Sequence, residues 1–273
     1  MGARLYERAA CRIVVRKMPT TTIQIDTADG SCTTVVATPE GSGRWPAVIV
    51  CFDAGGIRPS QVEIAERIAR AGYVALLPDL FHRSRPLSEL LGGPVTMDLV
   101  RQAFSDKDKA PVFMANYYGH AVDNAKLEVT IGGVLAHIAK RTDVHGKVGV
   151  TGYCMGGNAS LRIAEIFGDR IAATGAFHAG RIVTDTPDSP HKHADKIKSR
   201  VYVAGASNDQ SFTDDDKAAM DAALSAAGVR YQIETYPARH GFAVSDNVGA
   251  YDPACAERHY QALSKLYGET LQA

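Results

Sequence analysis

The chain has 273 residues, of which 45% are hydrophobic and 22% charged, and its formal net charge at pH 7 is +0. This length can bury the core of one α/β domain, and the balanced charge argues against a nucleic-acid partner. No apolar run reaches the roughly 18 residues of a membrane span, and the five cysteines are scattered as in proteins of reducing compartments, so we expect a cytoplasmic protein that does not contact a membrane.

The first 17 residues are rich in arginine but lack the features of a targeting segment. They contain four arginines and Lys17 against a single acid, Glu7, with no serine and no apolar core. We predict a disordered or loosely attached extension over residues 1–17. A single domain is expected to follow over residues 18–273.

Beyond this extension, short apolar segments alternate with segments of helical periodicity. Strands are predicted over residues 21–26, 33–38, 46–52, 73–77, 147–151, 171–177, 201–205 and 230–236. Helices are predicted over residues 61–71, 122–140, 158–167, 214–227 and 253–267. This alternation indicates an α/β fold with a mostly parallel central sheet flanked by helices on both faces.

One segment, residues 84–121, interrupts the alternation. It is rich in glycine, proline and charged residues. Because functional groups of open α/β sheets gather at the carboxyl ends of the strands, we expect this insert to form a cap or lid over a site there. Substrate specificity is expected to depend on it.

The most informative segment joins the predicted strand at 147–151 to the predicted helix at 158–167. It reads Gly-Tyr-Cys-Met-Gly-Gly over residues 152–157, with Cys154 at the apex and small residues two positions to either side. This is the cysteine counterpart of the G-x-S-x-G nucleophile elbow. The helix directs its amides and dipole at the sulfur, which favours the thiolate, so Cys154 is the candidate nucleophile.

Two further groups follow predicted strands at the same edge of the sheet, Asp209 and then His240. The chain order nucleophile, acid, histidine is that of the α/β-hydrolase triad. In such a triad the histidine acts as general base and acid, and the carboxylate orients it. His82 and His178 also lie near strand ends and are the alternatives to His240, and a turn role is the alternative for Asp209.

Backbone amides complete the predicted site. The amide of Met155 and one from the loop at 53–56 are positioned by the elbow geometry to form an oxyanion hole. His191 and His193 lack acidic or thiol partners at metal-ligand spacing, and the sequence contains no glycine-rich nucleotide loop. We therefore expect neither a metal nor a cofactor.

These residues resemble a known family. Segment 152–157, Asp209, segment 240–242 (His-Gly-Phe) and segment 78–81 (Pro-Asp-Leu-Phe) are similar to the dienelactone hydrolase family (carboxymethylenebutenolidases) of the α/β-hydrolase fold. The similarity extends over about residues 21–267. The family opens lactones or esters through a thioester on a Cys-His-Asp triad, here Cys154, His240 and Asp209.

The resemblance assigns further roles and also shows two departures. It implies that the amides of Ala54 and Met155 form the oxyanion hole and that Arg83 contacts the substrate. Asp53 occupies the position of a family glutamate that interacts with the resting cysteine. Val244 stands where the family has a second arginine, and the loss of such a carboxylate clamp should weaken the binding of an anionic dienelactone.

The sequence therefore predicts a hydrolase of small esters or lactones that acts as a monomer or homodimer. One alternative is a broader carboxylesterase or thioesterase with the same catalytic residues. Another is a catalytically silent protein of this fold that binds a ligand or senses oxidants through Cys154. The presence of Asp209 and His240 argues against the silent alternative, since a binding protein needs neither a base nor its orienting acid.

Overall fold

A computed structural model describes residues 18–272, so the extension predicted at 1–17 lies outside the described residues. One sheet is formed by eight strands, β1 Thr20–Thr27, β2 Gly30–Ala37, β3 Trp45–Cys51, β4 Val74–Pro78, β5 Val144–Tyr153, β6 Ile171–Phe177, β7 Arg200–Asn208 and β8 Tyr231–Arg239. Each corresponds to a predicted strand. Strands β5, β7 and β8 run past their predicted ends because pairing continues there, to Tyr153 beside Phe177 and Asn208 beside Arg239.

The strands lie in the order β1-β2-β4-β3-β5-β6-β7-β8. β2 pairs with β1 and β4 in antiparallel fashion, and the pairs from β4 onward are parallel. Val48, Ile49 and Val150 in the central strands are fully buried, as expected for strands covered on both faces. The predicted α/β fold with a mostly parallel sheet is therefore confirmed.

Nine α-helices accompany the sheet in the described part of the chain. They are α1 Pro59–Arg70, α2 Leu87–Leu91, α3 Met97–Ser105, α4 Lys109–Phe113, α5 Gly119–Val122, α6 Asn124–Lys140, α7 Met155–Phe167, α8 Asp214–Ala226 and α9 Pro253–Thr270. A Cβ at Gly149 of β5 would lie against Tyr267 of α9, and one at Gly152 against Gly156 of α7. Since residues three apart on a strand face opposite ways, α9 and α7 cover opposite faces.

The insert at 84–121 contains α2 to α5 and a π-helical turn, Met114–Tyr118. Aromatic contacts hold it together, because the ring centre of Phe113 lies 5.5 Å from Tyr117 and 4.8 Å from Phe104. Phe81, which follows β4, packs 5.3 Å from Tyr117 and so fixes the insert to the carboxyl end of the sheet. The sequence analysis predicted no helices here. Helices α2, α4 and α5 have only 5, 5 and 4 residues, too few to show periodicity, whereas the 9 residues of α3 carry a helical pattern that was missed.

Within residues 18–272, no helix is both long enough and apolar enough to cross a bilayer.

Candidate active site

Cys154 lies at the turn between β5 and α7, with φ 54° and ψ −116°. Its amide donates to the carbonyl of Phe177 at 3.0 Å, and its carbonyl accepts from Gly157 at 3.0 Å. A non-glycine residue with positive φ is strained, and such strain is concentrated at functional sites. This is the strand–turn–helix geometry that the sequence predicted, with the half-buried thiol at its apex.

The glycines of the elbow are required by crowding between backbones. A Cβ at Gly152 would lie 1.8 Å from the carbonyl oxygen of Gly156, and a Cβ at Gly156 would lie 2.2 Å from that of Cys51. A Cβ at Gly157 would lie 2.6 Å from the Cβ of Ala179. Each of these contacts is shorter than van der Waals packing permits, so the start of α7 can approach β3 and β6 only without side chains at these positions.

His240 and Asp209 meet at the ends of β8 and β7. The Nδ1 of His240 lies 2.8 Å from Oδ2 of Asp209 and 3.1 Å from the hydroxyl of Ser211. That hydroxyl donates to Oδ1 of Asp209 at 2.6 Å, and the amide of Ser211 donates to the same oxygen at 2.9 Å. Asp209 is only 7% exposed. Burial and the two hydrogen bonds from Ser211 hold its carboxylate in the position from which it orients the imidazole.

The electrostatics of the site favour a protonated imidazole between a sulfur and a carboxylate. Burial disfavours the charged form of His240, but attraction to Cys154 and hydrogen bonds with Asp209 and Cys154 outweigh it and hold the pKa of His240 well above its ordinary value. Burial likewise disfavours the Asp209 carboxylate, but the hydrogen bonds from His240 and Ser211 lower its pKa. Cys154, His240 and Asp209 are therefore electrostatically coupled.

Two backbone amides border the sulfur. The turn after β3 is closed by a hydrogen bond from the amide of Gly56 to the carbonyl of Asp53, at 3.1 Å. The turn at the elbow is closed by one from the amide of Gly157 to the carbonyl of Cys154, at 3.0 Å. Neither bond uses the amide of Ala54 or of Met155. Met155 is the first residue of α7, where an amide has no intrahelical acceptor. Ala54 lines the same cavity as Cys154. The oxyanion-hole role of these two amides stays a prediction.

Asp53 is held in an ion pair and does not line the cavity. It is 3% exposed, and its two carboxylate oxygens accept from the guanidinium of Arg58 at 2.6 and 2.8 Å. Arg58 also donates to Asp246, in the loop after His240, at 2.7 and 3.0 Å. This network connects the Ala54 loop to the histidine loop. The contact with the resting cysteine that the resemblance implied for Asp53 is not among these bonds.

Arg83 is also directed elsewhere. It donates to Asp29 at 2.6 and 2.8 Å and to the carbonyl of Lys126 at 3.1 Å, next to the β1–β2 turn. His82 lies 3.1 Å from the hydroxyl of Thr130. The structure thus separates Arg83, Asp53 and His82 from the thiol. It brings together the other predicted site residues, Cys154, Asp209, His240, Ala54 and Met155.

His178, the second alternative base, is fully buried beside His240, with 5.3 Å between the ring centres. Its ring also packs 5.0 Å from Phe242, and its own φ is 38°. Burial, and then the proximity of His240 and His259, keep the pKa of His178 well below its ordinary value. Since Asp209 bonds His240 and not His178, His178 packs against the base and does not replace it.

A cavity of about 620 Å³ opens onto the thiol and the imidazole. Its lining residues are Ala54, Met97, Val100, Arg101, Phe104, Cys154, Asn208, Arg239, His240, Asn247, Gly249 and Ala250. Helix α3 supplies Met97, Val100, Arg101 and Phe104 to this lining. One wall of the cavity is therefore built by the insert, as a cap over the carboxyl ends of the strands would be.

Sequence reasoning missed several groups that shape this site. The contact of Ser211 with Asp209 could have been predicted, because a residue two positions after an aspartate commonly closes an Asx turn. The link from Arg58 to Asp246 had none, since those residues are separated by 188 positions. Among the described residues, no group of three or more histidine, cysteine or acidic side chains is arranged to hold a metal ion.

Known proteins resemble this chain over most of its length. A model described as the "Dienelactone hydrolase family" matches residues 32–271. A "Putative carboxymethylenebutenolidase" of Synechocystis sp. is 26% identical, covering 87% of this chain and 91% of its own. "Protein usf" of Aquifex pyrophilus is also 26% identical, over 86% of this chain and 92% of its own.

Solved structures show the same fold. A crystal structure described as a "Putative Dienelactone Hydrolase" from Klebsiella pneumoniae superposes with a TM-score of 0.78 at 21% identity, over 93% of this chain and 99% of that one. A "Dienelactone Hydrolase-like Promiscuous" phosphotriesterase, P91, from metagenomic libraries superposes with a TM-score of 0.73 at 23% identity, over 94% and 100%.

Proposed function

Because the chain belongs to the dienelactone hydrolase family and is a hydrolase of the α/β-hydrolase fold, we propose that it cleaves small esters or lactones with Cys154 as the nucleophile. The observation that carries the proposal is the 2.8 Å hydrogen bond between Asp209 and His240, together with the cavity that His240 and the thiol of the elbow both line. Together they supply a nucleophile, a base and an orienting acid.

In the first half of the reaction the sulfur forms a bond to the acyl carbon. As the sulfur attacks, the thiol proton passes to His240, whose imidazole is oriented by Asp209 at 2.8 Å. The carbonyl π-bond opens to an oxyanion, which accepts hydrogen bonds from the amides of Ala54 and Met155. As the carbonyl re-forms, the carbon–oxygen bond to the leaving alcohol breaks, and His240 donates its proton to that oxygen.

In the second half, water releases the acyl group from the sulfur. Neutral His240 accepts a proton from a water molecule, and the resulting hydroxide attacks the thioester carbon. The same two amides hold the second oxyanion. Collapse breaks the carbon–sulfur bond, and His240 returns its proton to the departing sulfur. The product leaves as the carboxylic acid, and the thiol and the neutral imidazole are restored. Asp209 keeps the imidazole aligned in both halves because Ser211 and burial fix its carboxylate.

The decisive experiment compares wild type with Cys154→Ala on short-chain aryl esters and unsaturated lactones. We expect loss of turnover, by at least a thousandfold, with the fold retained by circular dichroism. Cys255→Ala is the matched control, because Cys255 is buried on α9 and should leave turnover intact. Hydrolysis by Cys154→Ala at the wild-type rate would overturn the proposal.

A second readout detects the intermediate directly. His240→Ala lacks the base for the thiol as well as the group that activates water, so acylation must be driven with an excess of a reactive aryl ester. The acyl-enzyme that forms should then accumulate, because water does not release it. Mass spectrometry of digested protein would locate the added acyl mass on Cys154. An acyl group on any other residue, with Cys154 unmodified, would contradict the proposed nucleophile.

A further inference from the structure

Helix α3 carries an apolar stripe that lines a cavity at the edge of the protein core. Met97, Val100 and Phe104 stand at spacings of three and four residues, so they lie on one face of the helix. All three line the cavity that contains Cys154. Val100 is 1% exposed, whereas Phe104 at the far end is 43% exposed. The stripe therefore runs from the interior of the cavity to its mouth.

Exposed apolar side chains occur on the two chain segments that contribute to the lining of this cavity. Within residues 18–272, the large hydrophobic residues that are exposed are Phe104, Val112, Met114, Val248 and Tyr251. The first three belong to the insert, and the other two to the loop that follows His240. Residues of both segments line the cavity. Phe104 itself lines the cavity, so the apolar lining continues onto exposed surface there, as it does at ligand-binding sites.

The dimensions suit an extended chain. Seven residues of helix from Met97 to Phe104 advance by about 10 Å, which is the length of roughly eight carbons in an extended hydrocarbon chain. A cavity of about 620 Å³ falls in the range of roughly 300–1,000 Å³ that holds drug-sized ligands. An acetyl ester would leave most of this volume and the whole stripe uncovered.

We propose that this enzyme selects esters that carry an extended apolar chain of about six to eight carbons, which lies along Met97, Val100 and Phe104. The inference rests on the proposed ester hydrolysis for its kinetic test only. The ester group would sit at Cys154 and His240. The chain would run along α3 and reach solvent at Phe104, where it covers apolar surface that is otherwise exposed to water.

The kinetic test uses p-nitrophenyl esters from acetyl to decanoyl, together with acetates of alcohols of the same lengths. Each methylene buried against the stripe should raise kcat/KM by up to about fourfold in one of the two series, with a plateau near eight carbons. A flat or falling dependence in both series overturns the inference, and if Cys154→Ala still removes turnover the proposed hydrolase stands.

Variants on α3 assign the effect to the stripe. Phe104→Ser should lower the ratio of kcat/KM for octanoyl to acetyl ester by about tenfold, and Val100→Phe, which fills the stripe, should lower it further. Leu99→Ala is the matched control, since Leu99 contacts the Gly93 side of α3 and should leave the ratio unchanged. An equal ratio in wild type and folded Phe104→Ser would overturn the inference.

Calorimetry of Cys154→Ala with sodium acetate and sodium octanoate tests the cavity without chemistry. Both ions carry the same carboxylate, so a difference in affinity reports the chain alone. We expect octanoate to bind at least tenfold more tightly, with the advantage lost in the Phe104→Ser background. Equal affinity for the two ions would overturn the inference even if no ester were hydrolysed.

Discussion

The elbow and the insert border the same cavity but are specified in different ways. In the elbow, backbone crowding leaves no room for a side chain at Gly152 or Gly156, so the constraint appears in the sequence as a spaced pattern. The insert is positioned by contacts between rings such as Phe104 and Phe113. It is also held by a hydrogen bond from Arg101 to Asn247 at 2.6 Å, across 146 positions.

This difference between backbone crowding and side-chain contacts determines which parts of a site can be predicted from a single sequence. A local backbone constraint is met by few residue types at fixed spacing, and a short motif reports it. A side-chain contact between distant elements can be made by many residue pairs, and no local pattern reports it. The two regions should therefore respond differently to the same substitution, and that is the first way to test the comparison.

The largest effect is expected from Gly156→Ala. The added Cβ would lie 2.2 Å from the carbonyl oxygen of Cys51, so α7 must shift and displace Cys154. We expect a loss of more than about 4 kcal/mol in the free energy of unfolding and no measurable ester hydrolysis. Urea denaturation and an aryl-ester assay would measure the two.

The same change in the insert is the control. Gly93→Ala would place a Cβ 3.4 Å from Leu99, an ordinary contact, so the unfolding free energy should change by less than about 1 kcal/mol. Equal effects of Gly156→Ala and Gly93→Ala would break the comparison between the elbow and the insert.

The next largest effect is expected from Asp209→Asn, which keeps the shape but removes the charge that orients His240. We expect kcat to fall by about a thousandfold or more, with little change in KM. Asp214→Asn is the control because Asp214, at the start of α8, pairs with Lys217 at 2.8 Å away from the imidazole. Wild-type kcat in folded Asp209→Asn would contradict the assigned role.

The loss of stability caused by Asp209→Asn should depend on pH. The pKa of His240 is raised in the folded state. Protonation of His240 therefore stabilises the fold fully at pH values below its ordinary pKa of about 6.5. This stabilisation is lost as pH rises through the raised pKa. Asp209→Asn weakens this contribution, so it should destabilise the protein more at pH 6 than at pH 9. Thermal unfolding at the two pH values provides the measurement.

A third prediction concerns Arg58, whose side chain connects the loop that contains Ala54 with the loop after His240. Arg58→Met leaves Asp53 buried without its partner, and breaking a buried pair costs about 3–5 kcal/mol. We expect a loss of unfolding free energy of that size and a lower kcat because Ala54 moves. Arg67→Met, which removes an ion pair with Glu257 at the surface, should cost at most about 1 kcal/mol.

Much of the fold follows from the sequence because apolar strands and helical periodicity are local signals. All eight strands were located, and Cys154, Asp209 and His240 were placed together from their order along the chain. The roles inferred for Asp53 and Arg83 came from the resemblance alone. The structure instead pairs Asp53 with Arg58, five positions away, and Arg83 with Asp29, 54 positions away. The spacing of neither pair belongs to a helical or strand pattern, so no local signal reports it.

The smallest effect is expected inside the elbow helix, at Glu165 of α7. It is 6% exposed, and neither carboxylate oxygen has a hydrogen-bond partner in the described part of the chain. Burial, only partly opposed by Arg162 and Lys196, raises the pKa of Glu165 to about 8. The folded state thus holds this proton more tightly than the unfolded chain, so stability should fall as pH rises from about 4.5 towards 8.

Glu165→Gln should remove this dependence, because the amide stays neutral at every pH. We expect the variant to match wild type near pH 5 and to exceed it by about 2 kcal/mol near pH 8, measured by urea denaturation. Glu128→Gln on the exposed face of α6 should show no such divergence. Parallel stability curves for wild type and Glu165→Gln would mean that the carboxylate finds a partner in solution. In that case side-chain pairing would stabilise the elbow helix in addition to backbone crowding. The elbow would then differ less from the insert, which is positioned by side-chain contacts.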